Sequence, residues 1–204
     1  MTPDSSHPAG IDEDLLRRTA DGEAAAFAEL FRRQRQVIYR FALHMTGRPA
    51  AADDVVQEVF LRVMLDAARY QSGRSGVAAW LCGIARNCAR QWLDRDRPFQ
   101  PLEIEMAEAT GSSVLSDPLG DLTRAEGIAR LRKAVLSLPV HYREAVVLCD
   151  LEELSYADAA DAIGCAIGTV RSRLSRGRVL LAAKLVGRQT DESAVGLGDV
   201  RCPA

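Results

Sequence analysis

The sequence predicts an all-α fold: two small helical domains joined by a flexible acidic linker, the second containing a helix-turn-helix. Three observations predict it. Apolar residues recur at helical spacing over two long stretches, with no strand-like alternation between or within them. Residues 97–122 lose that period and carry Pro98, Pro101, Gly111, Pro118 and Gly120, a composition that breaks regular structure. Charge is also partitioned. From Pro98 to Thr123 there are five acids and no Lys or Arg, whereas Gly168 to Arg188 holds six basic residues and no acid. That layout puts a cationic, nucleic-acid-compatible face near the C-terminal end.

The first domain, 11–96, rests on three helices. Phe27, Leu30, Phe31, Ile38, Phe41, Ala42 and Met45 define the first, and Gly47-Arg48-Pro49 ends it. Val55, Val56, Val59, Phe60 and Val63 form the apolar stripe of the second. A turn-rich stretch, Gln71-Ser72-Gly73-Arg74-Ser75-Gly76, separates it from the third. The third carries Val77, Trp80, Leu81, Ile84, Ala85, Cys88 and Trp92 on one face. The linker, 97–122, is too long for an ordinary loop inside a compact domain.

The second domain, 123–187, begins with a helix marked by Leu122, Ala125, Ile128, Leu131, Val135 and Leu138. Pro139 opens the next, with Tyr142, Ala145, Val146 and Cys149 inward. Ser155-x-x-Asp158 resembles a capping box, and Gly164 supplies the stop. A last helix runs from about Ala166 to Val186, and residues 188–204 read as a disordered tail. A short capped helix, a glycine turn and an arginine-rich helix make a helix-turn-helix. Arg171, Ser172, Ser175 and Arg178 share a face of its second helix, with Arg173 and Arg176 beside them. Arginine can pair bidentately with guanine, and serine can contact bases or phosphates.

Two more surfaces carry chemistry. Once Val55, Val56, Val59 and Phe60 are turned inward, Asp54, Gln57, Glu58 and Leu61 line another face, suited to a protein partner. Arg86, Asn87, Arg90 and Arg97 give a second basic, hydrogen-bonding surface on a different domain.

Other function classes fare poorly. Hydrophobic residues make up 48% and charged residues 26%, an ordinary globular balance. No stretch approaches the ~18 consecutive apolar residues of a membrane span. Met1 to Gly10 is polar and lacks a signal-peptide core, so a cytoplasmic location without membrane insertion is expected. The five cysteines (82, 88, 149, 165 and 202) form no CxxC pair, and the histidines form no HxxxH pattern. No metal, no cofactor and no catalytic residue is expected, and the chain is not expected to be an enzyme.

Asp54-Val-Val-Gln-Glu-Val-Phe60, Trp80-Leu-x-x-Ile-Ala-Arg-Asn87, Leu138-Pro139, Leu154-Ser-Tyr-x-x-x-Ala160 and Gly168-Thr-Val-Arg-Ser-Arg173 occur in that order. Together they resemble the bacterial RNA polymerase sigma factors of the extracytoplasmic-function (ECF) group. The likeness spans about residues 20–187. The resemblance implies a protein that binds core RNA polymerase and directs promoter recognition, DNA melting and transcription initiation. It implies that Asp54, Gln57, Glu58 and Leu61 contact core polymerase. It implies that Arg74, Arg86, Asn87 and Arg90 melt and read the −10 element. It implies that Tyr156, Thr169, Arg171, Ser172, Ser175 and Arg176 read the −35 element. An anti-sigma factor is the further partner it implies. The alternative is a helix-turn-helix regulator with a sensory N-terminal domain, which leaves the motif at 54–60 unexplained.

Overall fold

The computed structural model describes residues 8–73, 75–95 and 118–195, with the backbone alone at 8–9, 118–125 and 187–195. Eight α-helices follow one another, and no strand occurs among the described residues. They are α1 (Pro8–Ala20), α2 (Ala24–Thr46), α3 (Pro49–Asp66), α4 (Val77–Arg95), α5 (Pro118–Leu136), α6 (Val140–Val146), α7 (Tyr156–Ile163) and α8 (Ile167–Val195). A 3₁₀ turn at Ala67–Arg69 follows α3, and a π-helical turn at Val147–Leu151 extends α6.

The first unit forms because three helices each present a full apolar stripe. Leu30, Ile38, Phe41 and Met45 of α2 are buried against Val55, Val59 and Val63 of α3 and Leu81 and Ala85 of α4. Gly47 ends α2 in the left-handed region at φ 74°, where its N–H bonds to the Leu43 carbonyl. Pro49 then starts α3, where a missing N–H costs nothing.

Helix α1 lies outside the helices that apolar spacing predicts. Among its described side chains only Leu15 and Leu16 are deeply buried apolar residues, and Ile11 remains exposed. Its attachment is polar instead: the buried Asp12 accepts from Arg33 Nε at 2.5 Å and from Gln34 Nε2 at 2.6 Å. A buried carboxylate with two such donors, one of them cationic, is a strong local tether.

The expected linker lies mostly outside the described residues, except that 118–122 belong to the first turns of α5. Ile128, expected inward, is 45% exposed, while Val135 and Leu138 are buried as the spacing predicts. Helix α8 continues to Val195, past the Val186 at which its apolar period ends, so the residues expected to begin the tail at 188 are helical through 195.

The two units are not independent bodies. One apolar cluster runs from α2, α3 and α4 through Val135, Val147 and Leu148 to Ala159, Ala162 and Ile163 of α7. A second, smaller cluster joins Leu138, Ala145, Val146 and Leu174 between α6 and α8. There Gly177 lets α8 come close to α6. A Cβ on it would stand 2.8 Å from Val146 Cγ2 and 3.4 Å from the Tyr142 carbonyl.

Gly177→Ala should therefore overpack this contact. Overpacking costs ~1–3 kcal/mol and helix propensity returns ~1, leaving a net loss on the order of 1 kcal/mol. Urea midpoints would read it. Adding Val146→Ala should be less destabilising than the two single changes summed, because the second change removes the colliding methyl.

Candidate nucleic-acid interface

The stripe that seals α3 onto the core fixes the direction of its outer face. Asp54, Gln57, Glu58 and Leu61 all project to solvent there. Glu58 pairs with Arg62 at 2.9 Å, one turn on. Sequence reasoning named Leu61 but missed its neighbours: Met64 and Leu65 are 61% and 83% exposed. Beside Gln57, a groove of about 440 Å³ is lined by Phe27, Phe31, Phe60, Leu61 and Met64. Its floor is rigid, because the Phe31 and Phe60 rings meet edge to face at 4.7 Å. Three large exposed apolar side chains at spacings of three and four make a face built to be covered. The spacing of Leu61, Met64 and Leu65, offset from the buried stripe, was the signal in the sequence.

The second face is built by α4 and the turn before it. Arg74 lies outside the described residues, as does Arg97. The rest of the turn is tied down from α1. The Tyr70 hydroxyl shares its proton between Glu13 Oε1 at 2.8 Å and the Ser75 carbonyl at 2.7 Å. Ser72 Oγ donates to the other Glu13 oxygen at 2.8 Å. Glu13 thus sets the shape of the turn, a role nothing in the local sequence signals. Burial, with the Glu13 carboxylate close by, raises the Tyr70 phenol above its ordinary pKa, so it stays protonated and able to donate. Tyr70 also meets Trp80 edge to face at 5.6 Å.

Arg86, Asn87 and Arg90 follow on α4. Asn87 is exposed, and its Oδ1 accepts from Arg86 Nη1 at 3.4 Å. Arg86 and Arg90 both approach Glu144 of the second unit. Arg86 Nε lies 2.9 Å from Glu144 Oε1, off the hydrogen-bonding line, and Arg90 Nη1 donates to the same oxygen at 3.4 Å. Sequence reasoning missed Glu144 entirely. A cleft of about 430 Å³ lies alongside, between Tyr70, Trp80, Arg86 and Asn87 on one side and Ala162, Ile163 and Gly164 on the other.

The third face belongs to α7 and α8. Ser155 caps α7: its Oγ accepts from the Asp158 N–H at 3.1 Å. The reciprocal arm differs from a standard capping box. The Asp158 carboxylate accepts from the Ser155 hydroxyl at 2.6 Å and from the Gly76 N–H of the first unit at 3.3 Å. Gly164 then closes α7 at φ 73° and ψ 44°, a conformation that favours glycine. Arg171, Ser172, Ser175 and Arg176 are exposed on the first turns of α8, with Thr169 half-buried. The Arg171 guanidinium lies 5.8 Å from the centre of the Tyr156 ring, so these two act as one unit. Arg178 is drawn off that face. It grips Asp150 with two hydrogen bonds, 2.5 and 3.0 Å, holding α8 to the π-helical turn.

An apolar, acid-edged face on α3, a cationic face beside an aromatic turn on α4, and a helix-turn-helix with exposed arginines define a transcription initiation factor of the sigma type. Comparison with known proteins gives its group. The sigma-70 region 2 family matches residues 30–98, and the sigma-70 region 4 family matches residues 128–181. The chain is 37% identical over 145 residues to the ECF RNA polymerase sigma factor EcfG of Rhodopseudomonas palustris, covering 71% of this chain and 77% of that one. It is 33% identical over 177 residues to the ECF RNA polymerase sigma factor SigM of Mycobacterium tuberculosis, covering 85% and 84%. Among solved structures, the sigma factor RpoE of Bartonella quintana, in complex with the anti-sigma factor NepR, superposes with a TM-score of 0.59 at 29% identity, covering 79% of this chain and 96% of that one. CnrH, in complex with the cytosolic domain of CnrY, shares the fold, with a TM-score of 0.66 at 24% identity over 87% and 98%. The chain belongs to the extracytoplasmic-function group of RNA polymerase sigma factors. The region 2 match accounts for the motif at 54–60 that a helix-turn-helix regulator would leave unexplained.

The cap on α7 is directly testable. Ser155→Ala removes the acceptor for the Asp158 N–H and should cost about 1 kcal/mol. Chemical denaturation of the full chain would measure it, and an unchanged midpoint would show the cap to be dispensable.

Proposed function

We propose the following division of labour for this sigma factor. Residues 11–96 bind core RNA polymerase through Asp54, Gln57, Glu58 and Leu61, and they melt and read the −10 element through Arg74, Arg86, Asn87 and Arg90. Residues 123–187 read the −35 element as duplex through Tyr156, Thr169, Arg171, Ser172, Ser175 and Arg176. Residues 97–122 join the two. The protein acts in the cytoplasm, supplies no catalytic group of its own, and uses no cofactor or metal.

The observation that carries this reading is that three chemically different faces sit on three different helices, each fixed in direction by a buried stripe. The α3 face combines exposed Leu61, Met64 and Leu65 with Asp54, Gln57 and Glu58. That mixture suits a protein partner better than DNA, whose phosphates would repel the acids. The α8 face presents arginine and serine at the start of the second helix of a helix-turn-helix, where major-groove base edges are read. The α4 face sets Asn87 and two arginines beside a cleft near Trp80 and Tyr70. An amide and an aromatic wall are what an unstacked base needs.

An anti-sigma factor is the regulator we propose, held against the exposed face of α3. The RpoE relative is solved with such a partner, which supports the assignment. The groove beside Gln57 offers that partner an apolar seat.

Runoff transcription with purified core enzyme on genomic fragments tests the activity; no start site on any fragment would refute it. Replacing Gln57 and Glu58 by Ala should leave stability within about 0.5 kcal/mol, as exposed changes usually do, while weakening core binding in a pull-down. The two DNA readers should fail differently at one fixed salt concentration. Arg171→Ala should lose ~1–3 kcal/mol on duplex upstream DNA. Asn87→Ala should hold that duplex normally, lose affinity for single-stranded downstream DNA and open promoters poorly. The reverse pattern would show the readers to be misplaced.

A further inference from the structure

The turn before α4 has a proposed part in −10 reading, yet little packing holds it in place. At Gly73 and Gly76 a Cβ would meet nothing within 4 Å. Behind the turn lies a cavity of about 440 Å³, between Glu13, Leu16 and Arg17 of α1 and Ala68, Tyr70 and Ser72. A segment with open space on both sides takes its position from its hydrogen bonds. Those bonds converge on one carboxylate. Ser72 Oγ donates to Glu13 Oε2 at 2.8 Å, and the Tyr70 hydroxyl lies 2.8 Å from Glu13 Oε1 and 2.7 Å from the Ser75 carbonyl. The Gly76 N–H adds a longer contact to Asp158, at 3.3 Å. Glu13 thereby reaches both ends of the stretch 72–75, directly at one and through Tyr70 at the other.

The two arms differ in weight. Ser72 is exposed, so water competes for its hydroxyl, whereas Tyr70 is half-buried and its ring meets Trp80 edge to face at 5.6 Å. The carboxylate itself stands on a well-anchored helix. Asp12 beside it is held by Arg33 and Gln34, and Leu15 and Leu16 are buried. We infer that Glu13 is a positioning residue for −10 recognition. It touches no base. It acts through Tyr70, holding the turn in the shape that selects an unstacked base, and so makes α1 part of the promoter reader. Glu13 lies outside residues 30–98, the span of the region 2 match. The role rests on the proposed part of the turn and of α4 in −10 reading.

Shape and charge pull in opposite directions here, which gives the test its sign. Glu13→Ala removes a negative charge near a DNA-reading face, so electrostatics alone predicts tighter DNA binding. Loss of the two arms predicts weaker and less selective binding. Glu13→Gln separates the two. Its amide lacks the charge, yet it can accept from Ser72 and donate to Tyr70, which leaves the phenol proton for the Ser75 carbonyl.

The experiment uses holoenzyme on a promoter located by runoff transcription, with opening read by permanganate at unpaired thymines. Glu13→Ala should open it roughly tenfold less well, the scale of one charge-assisted hydrogen bond. It should also discriminate less between that promoter's −10 single strand and a scrambled strand, with duplex upstream binding unchanged. Glu13→Gln should restore both properties. Tyr70→Phe should be as damaging as Glu13→Ala, and combining the two should cost nothing further, because both break one chain of contacts. Trypsin reads the turn itself in the free chain: cleavage after Arg74 should quicken in Glu13→Ala and not in Glu13→Gln. Thermal melting guards against a misfolded Glu13→Ala, in which case Tyr70→Phe, which leaves α1 unaltered, decides. Cleavage no faster than in the unmodified chain would overturn the inference whatever the opening. Glu13→Gln behaving like Glu13→Ala would overturn it in favour of the charge. Faster cleavage with normal opening and selectivity would overturn it through the assignment of the turn to −10 DNA, leaving the hold of α1 on the turn standing.

Discussion

A single buried guanidinium, that of Arg143, holds the helix ends around which the two units meet. It donates to the Met45 carbonyl at 2.6 Å, to the Leu138 carbonyl at 3.0 Å, and to the Leu136 carbonyl. The Met45 and Leu136 oxygens lie at the C-terminal ends of α2 and α5, where the last carbonyls of a helix have no partner within it, and the Leu138 oxygen lies just beyond α5. Those ends also carry partial negative charge, which a cation complements. Burial pushes the Arg143 pKa down to about 10, still far enough above neutrality to keep the charge. Arginine suits the place because its planar fork serves several acceptors at once, and a lysine could not span them in the same way. Without it, three carbonyls would crowd together with no donor, each at a cost of about 1–3 kcal/mol.

Beside Arg143 stands Glu144, and the adjacent pair divides the work of the seam. Arg143 reaches back to the ends of α2 and α5, while Glu144 reaches across to α4. The first leaves Arg143 Nε without an acceptor. The second leaves one oxygen without a donor. The apolar part of the seam is made by Val135, Val147 and Leu148 together with Ala159, Ala162 and Ile163 of α7.

Much of this was legible in the sequence, and the reasons are local. Gly47-Arg48-Pro49, Ser155 and Gly164 each act through the conformation of one or two residues, so turn and cap chemistry located them. The stripes of α2, α3 and α4 follow from spacing alone. Helix α1 escaped because its anchor is Asp12 on Arg33 and Gln34, a polar contact that no apolar period records. Glu13 escaped for a related reason: its partners, Tyr70 and Ser72, lie far along the chain. Arg143 and Glu144 read locally as an ordinary charged pair on a helix surface, and only the packing of α6 against the first unit buries them. Arg178 shares the spacing of Arg171, Ser172 and Ser175, yet Asp150 claims it. Spacing identifies which residues share a face, but it does not say which of them are already engaged.

The same limit explains why α4 is hard to read from sequence and central to the protein. One side of it, Val77, Leu81, Ala85 and Cys88, belongs to the first unit's core. The opposite side carries Gly83, Asn87 and Arg90, with Arg86 at its edge. That stripe meets α7 at Gly83 and Glu144 at the arginines. Helix α7 passes close to Gly83, where a Cβ would stand 3.4 Å from the Cα and the carbonyl oxygen of Ala162. Arg86 and Arg90 are attracted by a carboxylate and by a phosphate for the same reason. The two cations that would suit a phosphate therefore suit an acidic protein element as well. Glu144 shares one oxygen between the two arginines and leaves the other without a donor, so the charged contact on this stripe is poorly satisfied on its acidic side.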